Sequence, residues 1–129
     1  MINDGHIFAF EKLKVWENIR LLIKSIYLIT KIYPDHERFG LVTQMRRAII
    51  SVSSNLAEGT SRISSKDQAH FYQLSYSSLM EVLSQLIVSK DLDYINEVDY
   101  NESRRKIEDG SFILNQLRKS TFSKPSKPI

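Results

Sequence analysis

Cysteine is absent from the 129 residues, glycine occurs four times, proline three times and tryptophan once. Without a thiol there is no disulfide framework, no Cys-ligated zinc or iron–sulfur centre and no cysteine nucleophile. So little glycine and proline argues against a turn-rich all-β fold. The glycines stand singly, so no glycine-rich loop is available to cradle phosphates. The most apolar run, from Leu21 to Thr30, is broken by Lys24 and falls far short of the roughly 20 residues a membrane span needs. The opening MINDGHIFAF has neither the basic start nor the long apolar core of a secretory signal. These absences predict a cytoplasmic chain with no membrane attachment.

A hydrophobic content of 42% argues against disorder, and the length supports one domain with a core of its own. The net charge of +3 invites a polyanionic partner until it is divided along the chain. Residues 1–65 carry nine basic and six acidic side chains, and residues 66–117 carry five and nine. The last twelve residues hold Arg118, Lys119, Lys124 and Lys127 with no acid. The body is thus close to neutral and polarised between its halves, and the excess lies in the tail. Residues 119–129, rich in Ser, Lys and Pro, read as a flexible basic tail beyond a domain over 1–118.

Apolar side chains recur at three- and four-residue steps, the period of a helix face. Leu13, Trp16, Ile19, Ile23, Ile26, Thr30 and Tyr33 predict a first helix over about 12–33, stopped before Pro34. Leu41, Met45, Ala48, Val52 and Leu56 predict a second over 38–58, with Gly59 as its C-cap. Ser65 and Gln68 read as a capping box opening a third helix over 66–91. Its apolar positions, from Phe71 and Tyr72 to Leu86 and Ile87, cover nearly half the cylinder, wider than one core seam requires. One edge is therefore expected to meet another subunit. Asn96 can cap a fourth helix to about Arg118, with Ile107, Ser111, Leu114 and Leu117 facing inward and Gly110 as a local weakness. Short connections between long helices give an all-α, up-down-up-down antiparallel four-helix bundle.

Gln44, Arg47, Ser51, Asn55 and Glu58 follow one another at steps of three and four on the second helix, a polar stripe beside the apolar one. Three readings stand: a hydrogen-bonding network that fixes helix register or a subunit contact, a polar groove for a ligand or phosphate, and plain solvent exposure. Arg46, Arg62 and Lys66 could form a basic surface near the second-to-third loop, extended by Lys119, Lys124 and Lys127 of the tail; a merely solvated face competes with that reading. A base-stacking platform would need exposed aromatics interleaved with cations, and Tyr72 and Tyr76 have no adjacent Arg or Lys. A di-iron carboxylate bundle would need two Glu-x-x-His pairs, where only Asp67-x-x-His70 occurs. His6, His36 and His70 suggest no catalytic triad. No cofactor, metal, small-molecule substrate or enzymatic activity is expected.

Phe39-Gly-Leu-Val-Thr-Gln44-Met-Arg46-Arg47-Ala48, then Ser54-Asn55-Leu-Ala-Glu58-Gly59 and Arg62, resembles the signature of a four-helix bundle family. Its founding members are encoded by intervening sequences within bacterial 23S rRNA genes, and it is also labelled S23 ribosomal protein. Phe10-Glu-Lys-Leu13-x-Val15-Trp16, Ser78-Leu79-x-Glu81 and Leu92-x-Tyr94-Ile95 follow in the family's order, so the resemblance spans about 10–118. Glu81 joins the candidate polar set on this ground. Ser77, Leu83 and Asp93 stand where the family often has Gly, a second acidic residue and Gly. The family is similar in fold to the pentameric, nucleic-acid-binding accessory protein of diversity-generating retroelements. The resemblance implies a homopentameric bundle without established enzymatic activity, a scaffold with RNA or DNA as a candidate partner. The alternative is a protein-binding adaptor with no direct nucleic-acid contact.

Overall fold

The computed structural model describes residues 5–128, and within them all regular structure is helical. A single 3-10 turn, Ala9–Lys12, leads into α1, Lys14–Thr30, and a second, Asp35–Glu37, leads into α2, Leu41–Ser61. α3 is Ser65–Asp91 and α4 is Glu97–Phe122. The four pack antiparallel to their neighbours in sequence, and α4 returns to close against α1, giving the four-helix bundle expected from the periodicity. No helix among the described residues is long and apolar enough to cross a membrane.

The core follows from the three- and four-residue steps. Val15, Ile19, Leu22 and Ile26 of α1 meet Met45, Ile49, Val52 and Leu56 of α2, Leu79, Val82 and Leu86 of α3, and Ile107 and Leu114 of α4, all essentially inaccessible. Each such aliphatic burial stabilises by about 1.5–3 kcal/mol. On α1 the inner face is turned slightly from the expected one. Val15 and Leu22 are buried, whereas Trp16 and Ile23 are half-buried against the core's edge.

Several boundaries move for local reasons. α1 ends at Thr30, not 33, and Tyr33 instead turns inward after a turn closed by its N–H on Thr30 O. α2 starts at Leu41, three residues late, because the Glu37 carboxylate of the preceding 3-10 turn accepts the Leu41 N–H at 3.2 Å. It runs on to Ser61, so Gly59 lies inside the helix and is no C-cap. Its lack of a side chain serves packing: a Cβ there would stand 2.5 Å from Tyr72 Cε1. The cap of α3 is Ser64, whose hydroxyl accepts the Asp67 N–H at 3.0 Å. Gln68 reaches back to Arg62 O instead of closing a box with Ser65.

The breadth of α3's apolar face has an internal cause. α3 packs against both α2 and α4, so most of its wide face is divided between two neighbours within the chain, while Leu74, Ile87 and Val88 stay 37%, 36% and 43% exposed. α3 ends in a Schellman motif: Tyr94 N–H donates to Ser89 O and Asp93 N–H to Lys90 O, both at 3.0 Å. Asp93 takes the left-handed conformation this requires, with φ of 62°. Asn96 caps α4 as expected, accepting the Asp99 N–H at 2.8 Å.

α4 continues past the expected boundary at 118. Thr121 is buried, and the chain then folds back over the α2–α3 turn. Lys127 donates its N–H to Ile63 O and its ammonium to Thr60 O, and Ser126 Oγ accepts the Ser65 N–H. The tail adds no core. It docks because the end of α2 leaves carbonyls open and the tail supplies donors.

Candidate functional site

The polar stripe of α2 lies along the edge where α2 meets α3. Ser51 Oγ and Ser78 Oγ are 2.9 Å apart, and Asn55 donates its amide to both Ser51 O and Ser51 Oγ. One turn inward, Ser75 is fully buried and donates to Val52 O at 2.7 Å. Short side chains at these positions allow close helix approach, and each hydroxyl finds a partner, as buried polar groups require. Ser51 thus reaches across to Ser78 on α3, whereas Asn55 bonds only within α2 and holds the Ser51 side chain. The rest of the predicted set is not drawn into this network. Gln44 and Arg47 are exposed, with no side-chain hydrogen bond to a described residue; Glu58 pairs with Arg62 at 3.3 Å, and Glu81 accepts from Gln85 at 3.4 Å.

The six candidate phosphate-binding cations separate into two groups. Arg46 points the other way from the α2–α3 turn, at the opposite end of the helix. Its Nε donates to Thr30 Oγ1 at 3.0 Å, its Nη2 to Tyr27 O at 3.3 Å, and its guanidinium stacks 4.6 Å from the centre of the Tyr27 ring. It holds the end of α1, where carbonyls lack helical donors. Arg62 is likewise engaged, by Glu58, by Asp67 at 3.7 Å and by the Phe71 ring. Lys127 ties the tail down. Lys66, Lys119 and Lys124 remain exposed, with no ion-pair partner among the described residues.

Lys66 has company that the sequence alone did not reveal. The antiparallel pairing of α3 and α4 brings it to a depression of about 310 Å³ shared with Ala69, His70, Gln73, Arg118 and Phe122. The Arg118 fork is oriented by Asn115, whose Oδ1 accepts from Nη2 at 2.8 Å. Arg118 and Phe122 are four apart, so a single helix face presents both. That spacing is visible in the sequence; their meeting with Lys66 depends on the α3–α4 register.

A second surface is apolar. Leu21 and Leu28 on the outer side of α1 and Ile32 just past its end are 57%, 63% and 72% exposed, and Phe112 of α4 is 67% exposed. With Ile29 and Ile113 they line shallow depressions along the α1–α4 seam, edged by Lys14, Glu17, Asp99, Glu102 and Asp109, with Glu17 paired to Arg20 and Glu102 to Lys106.

At the α1–α2 end of the bundle, the Tyr94 hydroxyl donates to Glu37 Oε2 at 2.9 Å, and His36 Nε2 lies 3.3 Å from the same hydroxyl. The Tyr94 hydrogen bond, then the Leu41 amide, hold the Glu37 carboxyl below its ordinary range; the same bond raises the Tyr94 phenol. This cluster joins the two loops at that end. Among the described residues no group of three or more His, Asp or Glu is arranged to hold a metal ion.

A crystal structure of a protein of unknown function from the S23 ribosomal protein family of Bacteroides thetaiotaomicron has a similar fold. The similarity spans 81% of this chain and 95% of that one, with a TM-score of 0.73 and 16% identical residues. No curated protein matches. The sequence profile of the 23S rRNA-intervening sequence proteins matches residues 11–116, taking in all of α1, α2 and α3, most of α4 and the Ser51–Asn55–Ser78 network. With both the signature and the four-helix fold in place, this chain belongs to the 23S rRNA-intervening sequence protein family.

Proposed function

We propose that this protein is a non-catalytic, self-assembling bundle of the cytoplasm, a homopentamer, that serves as an interaction scaffold and presents a basic end to RNA or DNA. The observation that carries assembly is the outward apolar stripe of Leu21, Leu28, Ile32 and Phe112 on the α1–α4 seam. Large exposed apolar side chains in one stripe mark an interaction surface, because leaving them in water forgoes about 25 cal/mol for each Å² of apolar area. Residues 1–65 carry a net +3 and residues 66–117 a net −4, so unlike surfaces of two copies attract head to tail. Head-to-tail contacts between unlike surfaces close into rings, which suits a cyclic assembly better than a two-fold dimer.

Light scattering coupled to size exclusion at micromolar concentration tests this. A pentamer of 15.0 kDa chains would elute at about 75 kDa. A monomer overturns assembly, and any other count overturns the five-fold number. Capture of a stoichiometric protein after nuclease treatment, with no retained nucleic acid, would replace the nucleic-acid role by that of an adaptor.

A further inference from the structure

We infer that the depression between the start of α3 and the end of α4 is a binding site for single-stranded nucleic acid. Phosphate sits on Lys66 and Arg118, and an unstacked base lies against Phe122. The inference rests on the nucleic-acid part of the reading above and gives it a location and a ligand form.

Three observations support it. The first is chemical composition. The lining offers a Lys, an Arg, a His, a Gln amide and one aromatic ring, and no carboxylate. The nearest acid in sequence, Asp67, is outside the lining and faces Arg62 at 3.7 Å. Lys119 and Lys124 extend that charge along the same chain segment, where no acidic side chain occurs between Arg118 and the end.

The second is the exposed ring. Phe122 is 60% exposed at the last residue of α4, one turn beyond Arg118. An aromatic among cations is the arrangement that binds unpaired bases, since every base offers a π-face and every nucleotide a phosphate. Duplex bases are already stacked and present no face to such a ring, so the site selects single strands or loops. A membrane surface would be met by a continuous apolar helix face, which this depression lacks.

The third is an unanswered donor. Arg118 is fixed by Asn115, yet its Nε–H is buried with no acceptor among the described residues. A buried donor left without a partner is costly, and a shift of the guanidinium toward a phosphate in the depression would satisfy it. At about 310 Å³ the depression is at the small end of ligand clefts, the size for one nucleotide unit of a longer strand.

The test is fluorescence anisotropy on the full chain with labelled oligouridylate and oligothymidylate of about 12 nucleotides, and with a duplex of equal length, across a salt series. Single strands should bind, more tightly than the duplex, with affinity falling steeply as salt rises. Phe122→Ala should weaken binding about tenfold while Phe122→Trp retains it. Lys66→Ala and Arg118→Ala should each lower the salt slope by about one. Lys90→Ala, outside the depression, serves as the control, and circular dichroism melts establish that each variant is folded. Binding that is indifferent to Phe122→Ala and Arg118→Ala overturns this site and leaves nucleic-acid binding elsewhere intact. Absence of binding at low salt by a chain that still assembles overturns the nucleic-acid reading itself and leaves the scaffold.

Discussion

Gly59 and Tyr72 are in contact through the absence of a side chain: a methyl group on Gly59 would lie 2.5 Å from Tyr72 Cε1 and 2.9 Å from Cδ1. The Tyr72 ring is 3% exposed and cannot swing away, so α2 must recede from α3. Gly59→Ala should therefore destabilise by about 1–2 kcal/mol in urea unfolding, overpacking outweighing the gain in helix propensity. Gly110→Ala should cost less. A Cβ there meets only the tip of Asn18, at 2.6 Å, and that side chain can turn aside.

Arg46→Ala should lower stability by about 1–2 kcal/mol, since it removes the donor to Thr30 Oγ1 and the stacking on Tyr27 together. Arg46→Lys should recover only part of this, because an ammonium cannot reproduce the planar fork. Affinity for nucleic acid should be unchanged in both, as an anisotropy titration would reveal.

Asp93→Gly should raise stability by up to about 1 kcal/mol. The left-handed φ of 62° strains any residue with a Cβ, and glycine adopts it freely. The midpoint of urea denaturation should rise with the slope unchanged.

The Glu37 carboxyl gives stability a defined acid dependence. Its folded pKa is lowered by the Tyr94 hydroxyl and the Leu41 amide, so its contribution is complete above the unfolded value and lost as pH falls through the folded one. Tyr94→Phe removes the larger cause. The acid limb of the stability curve, followed by urea midpoints against pH, should then begin at the same pH, set by the unfolded carboxyl, but be shallower and end at a higher pH than in the parent.

Leu28→Asp combined with Phe112→Lys should break assembly without unfolding the bundle, since both side chains are mostly exposed. Light scattering should report a monomer with an unchanged far-ultraviolet spectrum. Retention of the parental mass would exclude the α1–α4 seam as the contact.

The periodic signals carried most of the fold. The α1 and α2 stripes, the Asn96 cap and the extent of α3 are legible because they depend on neighbours within a turn. What escaped depends on partners distant in sequence. Gly59 reads as a C-cap until Tyr72 is placed across from it, and Arg46 reads as a free cation until the end of α1 is known. The same holds for the basic depression: Arg118 and Phe122 form a pair in sequence, but only the α3–α4 register sets Lys66 beside them. The apolar width of α3 is mostly taken up within the chain, and the most exposed apolar side chains lie along α1 and α4, with Leu74, Ile87 and Val88 of α3 less so.

The α1–α4 seam is also the one helix pairing that joins the two ends of the sequence. Every other major contact links consecutive helices, whose ends are held together by short turns at little entropic cost. α1, α2 and α3 can associate in order, while the closing of α4 on α1 requires nearly the whole chain to be in place. The seam should therefore be the last contact to form and the first to open. If that face also carries the subunit contact, assembly and completion of the fold are a single thermodynamic event. Apparent stability should then rise with protein concentration.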